Sequence, residues 1–67
     1  PDFDKPVEVI SMAMSIEAQA LDLYTRASRS TDDKENTEML ERIAQEEIYH
    51  LEQLGTLLDN IVEGANG

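Results

Sequence analysis

The chain has 67 residues, no cysteine, and fifteen acidic against five basic side chains, for a formal net charge of −10. One small domain is therefore the upper bound, and without cysteine, disulfides, thiolate metal sites, iron–sulfur clusters and thiol catalysis are excluded within it. The charge argues against nucleic acid and anionic membranes as partners and is compatible with attracting cations.

No stretch is apolar enough and long enough to span a membrane, and no signal peptide is visible. The expected location is cytoplasmic, and the absence of cysteine suits such a reducing compartment. Residues 1–5 read as an arm or linker. The start at Pro1 fits either a processed chain or a domain cut from a longer protein. Asp4 is the expected N-cap and Pro6 suits a first helical turn. Val7, Ile10, Met14, Glu17, Leu21 and Tyr24 then recur at steps of three and four. This is an apolar helix seam with one carboxylate at its centre, and it predicts a helix over residues 5–28. The opposite face, with Glu8, Ser11, Ser15, Asp22, Thr25 and Arg29, is polar.

Ser30-Thr31-Asp32-Asp33 is a break with turn chemistry, placing a turn over 29–32. Asp32 and Glu35 have the spacing of a capping box. A second helix is predicted over 33–62, where Leu40, Ala44, Glu47, Leu51, Leu54, Leu58 and Ile61 form a second seam, again with one carboxylate inside it. Gly55 interrupts good helix formers in this helix at a cost of about 1 kcal/mol relative to alanine. Gly64 reads as its stop and 64–67 as a flexible tail. The fold class is then all-α: a two-helix antiparallel hairpin over residues 6–63.

The hairpin brings the two seam carboxylates together. Position 17 lies fifteen residues before position 32, and position 47 lies fifteen after it. A turn at Asp32 sets Glu17 and Glu47 level, both facing inward. His50 lies three residues past Glu47 and so one helical turn away on the same face. Bare ionised carboxylates in such seams would cost several kcal/mol, roughly, unless paired or metal-bound. One Glu from one helix and Glu-x-x-His from the next is half of the ligand set of di-iron and di-manganese carboxylate bundles. Two chains related by a two-fold axis would supply the whole set and would cover the open apolar face that so small a hairpin leaves. Hard carboxylate oxygens with one imidazole per metal suit iron, with manganese as the alternative. The expected ligands are Glu17, Glu47 and His50. Around them, Glu46 is placed to accept a hydrogen bond from His50 of a second copy, and Tyr24 to donate one to a ligand carboxylate. The plainer readings are carboxylates neutralised by Arg26, Arg42 or Lys34, an exposed Glu46, and Tyr24 as core. Met12, Met14 and Met39 read as core filler.

Residues 15–28 (SIEAQALDLYTRAS) and 38–54 (EMLERIAQEEIYHLEQL) resemble the rubrerythrin-like branch of the ferritin-like superfamily, over both helices and most of the chain. The specific part is narrow: Glu17, then Glu47 and His50 within Ala-x-Glu-Glu-x-x-His. The resemblance implies dimerisation into a ferritin-like four-helix bundle with two iron ions per dimer, reacting with oxygen or hydrogen peroxide. There are departures. Four-helix relatives carry two such halves in one chain, and this chain carries one. The Cys-x-x-Cys iron site of full rubrerythrins is missing, so the electron donor must be something else. The two-helix form is similar to encapsulated ferritins and to ferritin-like segments fused to rhodanese-type domains. The functional expectation is an oxidoreductase that oxidises Fe(II) with oxygen or reduces peroxide at a metal site shared between two chains. The alternative is a helical assembly module with a structural or vestigial metal site.

Overall fold

A computed structural model describes residues 2–66. They form two helices, α1 (Pro6–Ser30) and α2 (Lys34–Asn66), joined by residues 31–33. The helical hairpin expected from the two seams is thus the architecture of the chain. The helix ends differ from expectation, each for a local reason.

Asp4 is not the N-cap of α1. Proline disfavours the helical region for the residue before it, so Lys5 is held extended at φ −107 and ψ 113, and Pro6 opens the helix with no side-chain cap. The acids of the arm are engaged otherwise. Asp4 donates its amide to Asp2 Oδ1 at 3.0 Å, and Asp2 donates its amide to Glu8 Oε2 at 2.6 Å. At the other end α1 runs to Ser30, past the expected 28. Ser28 and Ser30 donate their hydroxyls to the carbonyls of Thr25 and Arg26, so these small polar residues sit within the helix and do not break it.

The cap of α2 is Asp33, one residue after the expected Asp32. Its Oδ1 accepts the amides of Glu35 at 2.9 Å and Asn36 at 3.2 Å, and its carbonyl accepts the Thr37 amide at 2.9 Å. Thr31 Oγ1 in turn accepts the Asp33 amide at 3.2 Å. The third residue past this cap is Asn36, so the expected Asp32–Glu35 box does not form. The helix also runs beyond 62. No described glycine has positive φ, so Gly64 makes no left-handed cap and the turn continues through Asn66. Of the expected tail over 64–67, residues 64–66 are helical; position 67 lies outside the described residues.

The seams meet along the hairpin, but the layer between them is thin. Among the described residues only Ile10 and Ala44 are buried. Met14, Leu21, Tyr24, Leu40, Leu51, Leu54, Leu58 and Ile61 are half-buried, and Val7 is exposed. The radius of gyration is 15.2 Å, against about 11 Å for a compact domain of this length. The accessible surface is 5135 Å², against about 4,200 Å² for a compact monomer of this mass. The two sides of the hairpin differ. A groove near the turn is lined by Ala27, Met39 and Leu40, and another by Thr25, Arg29, Glu41 and Gln45. On the helical wheel these sets fall on opposite sides of the inter-helix plane. Ile16 and Leu23 fall on the Ala27 side, and Leu57 on the Met39 side; all are exposed, as is Met39. The Ala27 side therefore carries the exposed Ile16, Leu23, Met39 and Leu57, while the other side mixes Thr25, Arg29, Glu41 and Gln45 with the exposed Val7, Ile48 and Val62. No described helix is long and apolar enough to cross a membrane.

A Cβ added at Gly55 would meet Met14 Cε at 3.8 Å, an ordinary contact, so nothing in the packing requires glycine there. Gly55→Ala is expected to raise stability by about 0.5–1 kcal/mol, and Asp33→Ala to lower it by about 1 kcal/mol. Urea melts followed by circular dichroism measure both, and opposite signs are the expected result.

Candidate metal centre

Helical periodicity places Glu17 in the middle of α1 and Glu47 in the middle of α2, each on the side facing the other helix. The three-residue connection is too short for any arrangement but antiparallel neighbours, and it sets the register that brings positions 17 and 47 level. His50 joins them from the next turn of α2. Its Nδ1 lies 3.7 Å from Glu17 Oε2 and 3.9 Å from Glu47 Oε1. One donor atom from each of the three side chains falls within 4.8 Å of the others. The structure thus brings together all three residues expected as ligands.

These separations are too long for good hydrogen bonds. The three donor atoms share one small volume that modest side-chain rotation would close around a cation. Burial falls across the group: the side chain of Glu47 is 16% exposed, that of Glu17 28% and that of His50 52%. Glu17 Oε2 is buried and has no hydrogen-bond partner. An orphaned buried acceptor costs about 1–3 kcal/mol, more if charged, and a cation at this point would satisfy it. The donor set fits iron or manganese for the same reason: two carboxylates and one imidazole are hard-to-borderline ligands.

The simpler electrostatic explanation does not operate. Arg26, one of the cations expected to neutralise the carboxylates, pairs with Asp22 at 3.1 Å. Among the described residues no lysine or arginine reaches Glu17 or Glu47 within 4.0 Å. His50 is their one basic neighbour. Tyr24 is half-buried, and its hydroxyl makes no hydrogen bond to either carboxylate among the described residues; Glu46 is exposed, beside the group and outside it.

The seam reading missed the residues that flank the site on the open side. Ile16 and Leu23 are seven apart, as are Ile43, His50 and Leu57. That spacing marks a second apolar face on each helix, offset from the seams that pack against each other. It was visible in the sequence but was not separated from the first seam. No protein-family model, curated protein or solved structure matches the chain.

Glu47→Ala is expected to remove metal binding while leaving the helices intact, and without metal the variant is expected to be at least as stable as the parent. The substitution removes a desolvated charge and its repulsion from Glu17. Calorimetric titration with Mn(II) and a metal-free thermal melt check the two halves. A metal-free variant much less stable than the parent would make Glu47 a structural residue.

Proposed function

We propose that this chain is half of a di-iron carboxylate centre of the rubrerythrin and ferritin-like type, in which two copies form a four-helix bundle that oxidises Fe(II) with oxygen or reduces hydrogen peroxide. The observation that carries the reading is the convergence of Glu17, Glu47 and His50, with one buried carboxylate oxygen left unpartnered. The resemblance of residues 15–28 and 38–54 to that superfamily points the same way.

A donor count supports two chains and two metals. One chain offers four carboxylate oxygens and one imidazole nitrogen toward the centre; two chains offer eight and two. Shared between two cations, such a set would suit iron or manganese. The charges also close, since four carboxylates balance two divalent cations. Within this arrangement Glu17 and Glu47 hold and neutralise, and His50 donates from Nδ1. Ile16, Ile43 and Leu57 flank the centre with apolar surface, which limits water there. Glu46 is the candidate to orient His50 of the second copy, and Tyr24 to steady a ligand carboxylate. Bound there, iron would supply two-electron chemistry toward oxygen or peroxide, and its reductant would come from outside residues 1–67, which hold no cysteine.

The second reading is an assembly module, favoured by the exposed Ile16, Leu23, Met39 and Leu57, which need cover whether or not metal is present. Metal content separates the two. Protein prepared without a histidine tag is expected to hold about one iron per chain and to oxidise Fe(II) faster than buffer, and the His50→Ala chain is expected to do neither. A metal-free chain whose stability does not respond to added iron would leave the assembly module standing.

Acid should weaken the metal effect. Cation binding needs both carboxylates ionised and the imidazole neutral, and it stabilises only the folded state. The metal-dependent rise in melting temperature is therefore fully present near neutrality and shrinks as pH falls and protons compete for the ligands. Anaerobic melts with and without Fe(II), from about pH 7.5 to about 4.5, are expected to converge. A gap that survives unchanged in His50→Ala would move the metal elsewhere.

A further inference from the structure

Phe3, the one phenylalanine of the chain, is the most exposed large apolar side chain among the described residues, at 66%. At the far end of the hairpin, Ala27, Ser30, Thr31, Asn36, Met39 and Leu40 line a groove beside the turn. Its walls are largely apolar, and Met39 is exposed. Phe3 and this groove cannot meet within one chain, because they lie at opposite ends of a hairpin 50 Å long. Resting on the pairing of two copies read above, we propose that the groove receives Phe3 from a second copy, so that each N-terminal arm latches onto the turn end of the other chain.

Charge and level both point to this contact. Two hairpins whose metal centres lie level pair either with like ends together or with opposite ends together. The half toward the turn, residues 18–46, holds four of the five lysines and arginines against seven acids; the open half, residues 1–16 and 48–67, holds Lys5 alone against six acids. Lys5 is already paired with Asp2. Like ends together would set the two acid-rich open halves against each other. Opposite ends together bring Asp2, Asp4, Glu8 and Glu63 toward Arg29 and Lys34 of the second copy, which is the complementary arrangement. The arm of one chain then lies at the turn of the other. α1 begins at Pro6, eleven residues before Glu17 and so about 16 Å from the level of the centre. Phe3 lies three residues further out, within about 10 Å of Pro6. On the other side of the centre, Ala27 stands ten residues past Glu17 and Asn36 eleven before Glu47, at about 15 Å and about 16 Å. Opposite-end pairing therefore puts Phe3 within reach of the groove. A phenylalanine seated in an apolar groove is the type of anchor on which interfaces depend.

The chain has no cysteine, so introduced cysteines report the contact without background. Phe3→Cys and Met39→Cys chains, mixed with Mn(II) and treated with a short bis-maleimide, are expected to link to each other, while neither variant alone links to itself. Phe3→Ala is expected to weaken the dimer in sedimentation by about tenfold, with the heat of Mn(II) binding unchanged. Circular dichroism checks that each variant is helical. A chain that sediments as a dimer and binds Mn(II), but whose Phe3→Cys variant links only to itself or to nothing, overturns the latch and leaves the metal centre and the pairing standing. A Phe3→Ala dimer as tight as the parent overturns it too. A wild-type chain that stays monomeric with Mn(II) overturns the latch together with the pairing, and an absence of Mn(II) binding heat in that chain removes the metal centre as well.

Discussion

The structure turns on two carboxylates held inward at the same height. Glu17 and Glu47 occupy positions where a helix of this kind otherwise carries leucine or isoleucine, and the antiparallel register sets them against each other. Neither has a lysine or arginine within reach, and one oxygen of Glu17 is buried with no partner. Charges in that situation are unfavourable unless something positive sits between them. His50, with Nδ1 facing both, completes a set of donors around that point.

The thinness of the hairpin gives the carboxylates a second role. Two helices pack along a single seam, so each helix keeps a further apolar face in the open. Among the described residues only Ile10 and Ala44 are buried, which is little core for a domain of this size. The open face runs beside the donors, so whatever covers it also encloses them. Under the proposed pairing of two copies, burial and chemistry would become one event, a second copy adding a core layer and further ligands in the same step.

The local details follow simple rules that compete at close range. Two adjacent aspartates precede α2, and either has cap chemistry; Asp33 prevails because Thr31 accepts its amide and sets the backbone so that Asp33, not Asp32, faces the first turn. Pro6 overrules Asp4 by forcing Lys5 out of helical geometry. Ser30 reads as the start of a break in isolation, yet inside a long helix its hydroxyl, like that of Ser28, returns to a carbonyl of the preceding turn. Gly64 behaves likewise: a glycine ends a helix only where the backbone turns left-handed, and this one does not.

By itself the sequence determined the class of the fold, two helices and a turn, because period-3.6 seams leave no other element that buries them. It also determined the register of the site, because Glu17 and Glu47 stand equally far from the turn and helical spacing adds His50. These are consequences of counting along a chain. What counting cannot supply is distance and neighbourhood. That His50 turns Nδ1 toward both carboxylates, that Arg26 is spent on Asp22, and that Glu17 Oε2 has no partner were decided by the packing of α1 on α2. So was the exposure of Ile16, Leu23, Met39 and Leu57, because which of two apolar faces on a helix is covered depends on how the helix rotates against its neighbour, and that rotation is set by the sum of many contacts.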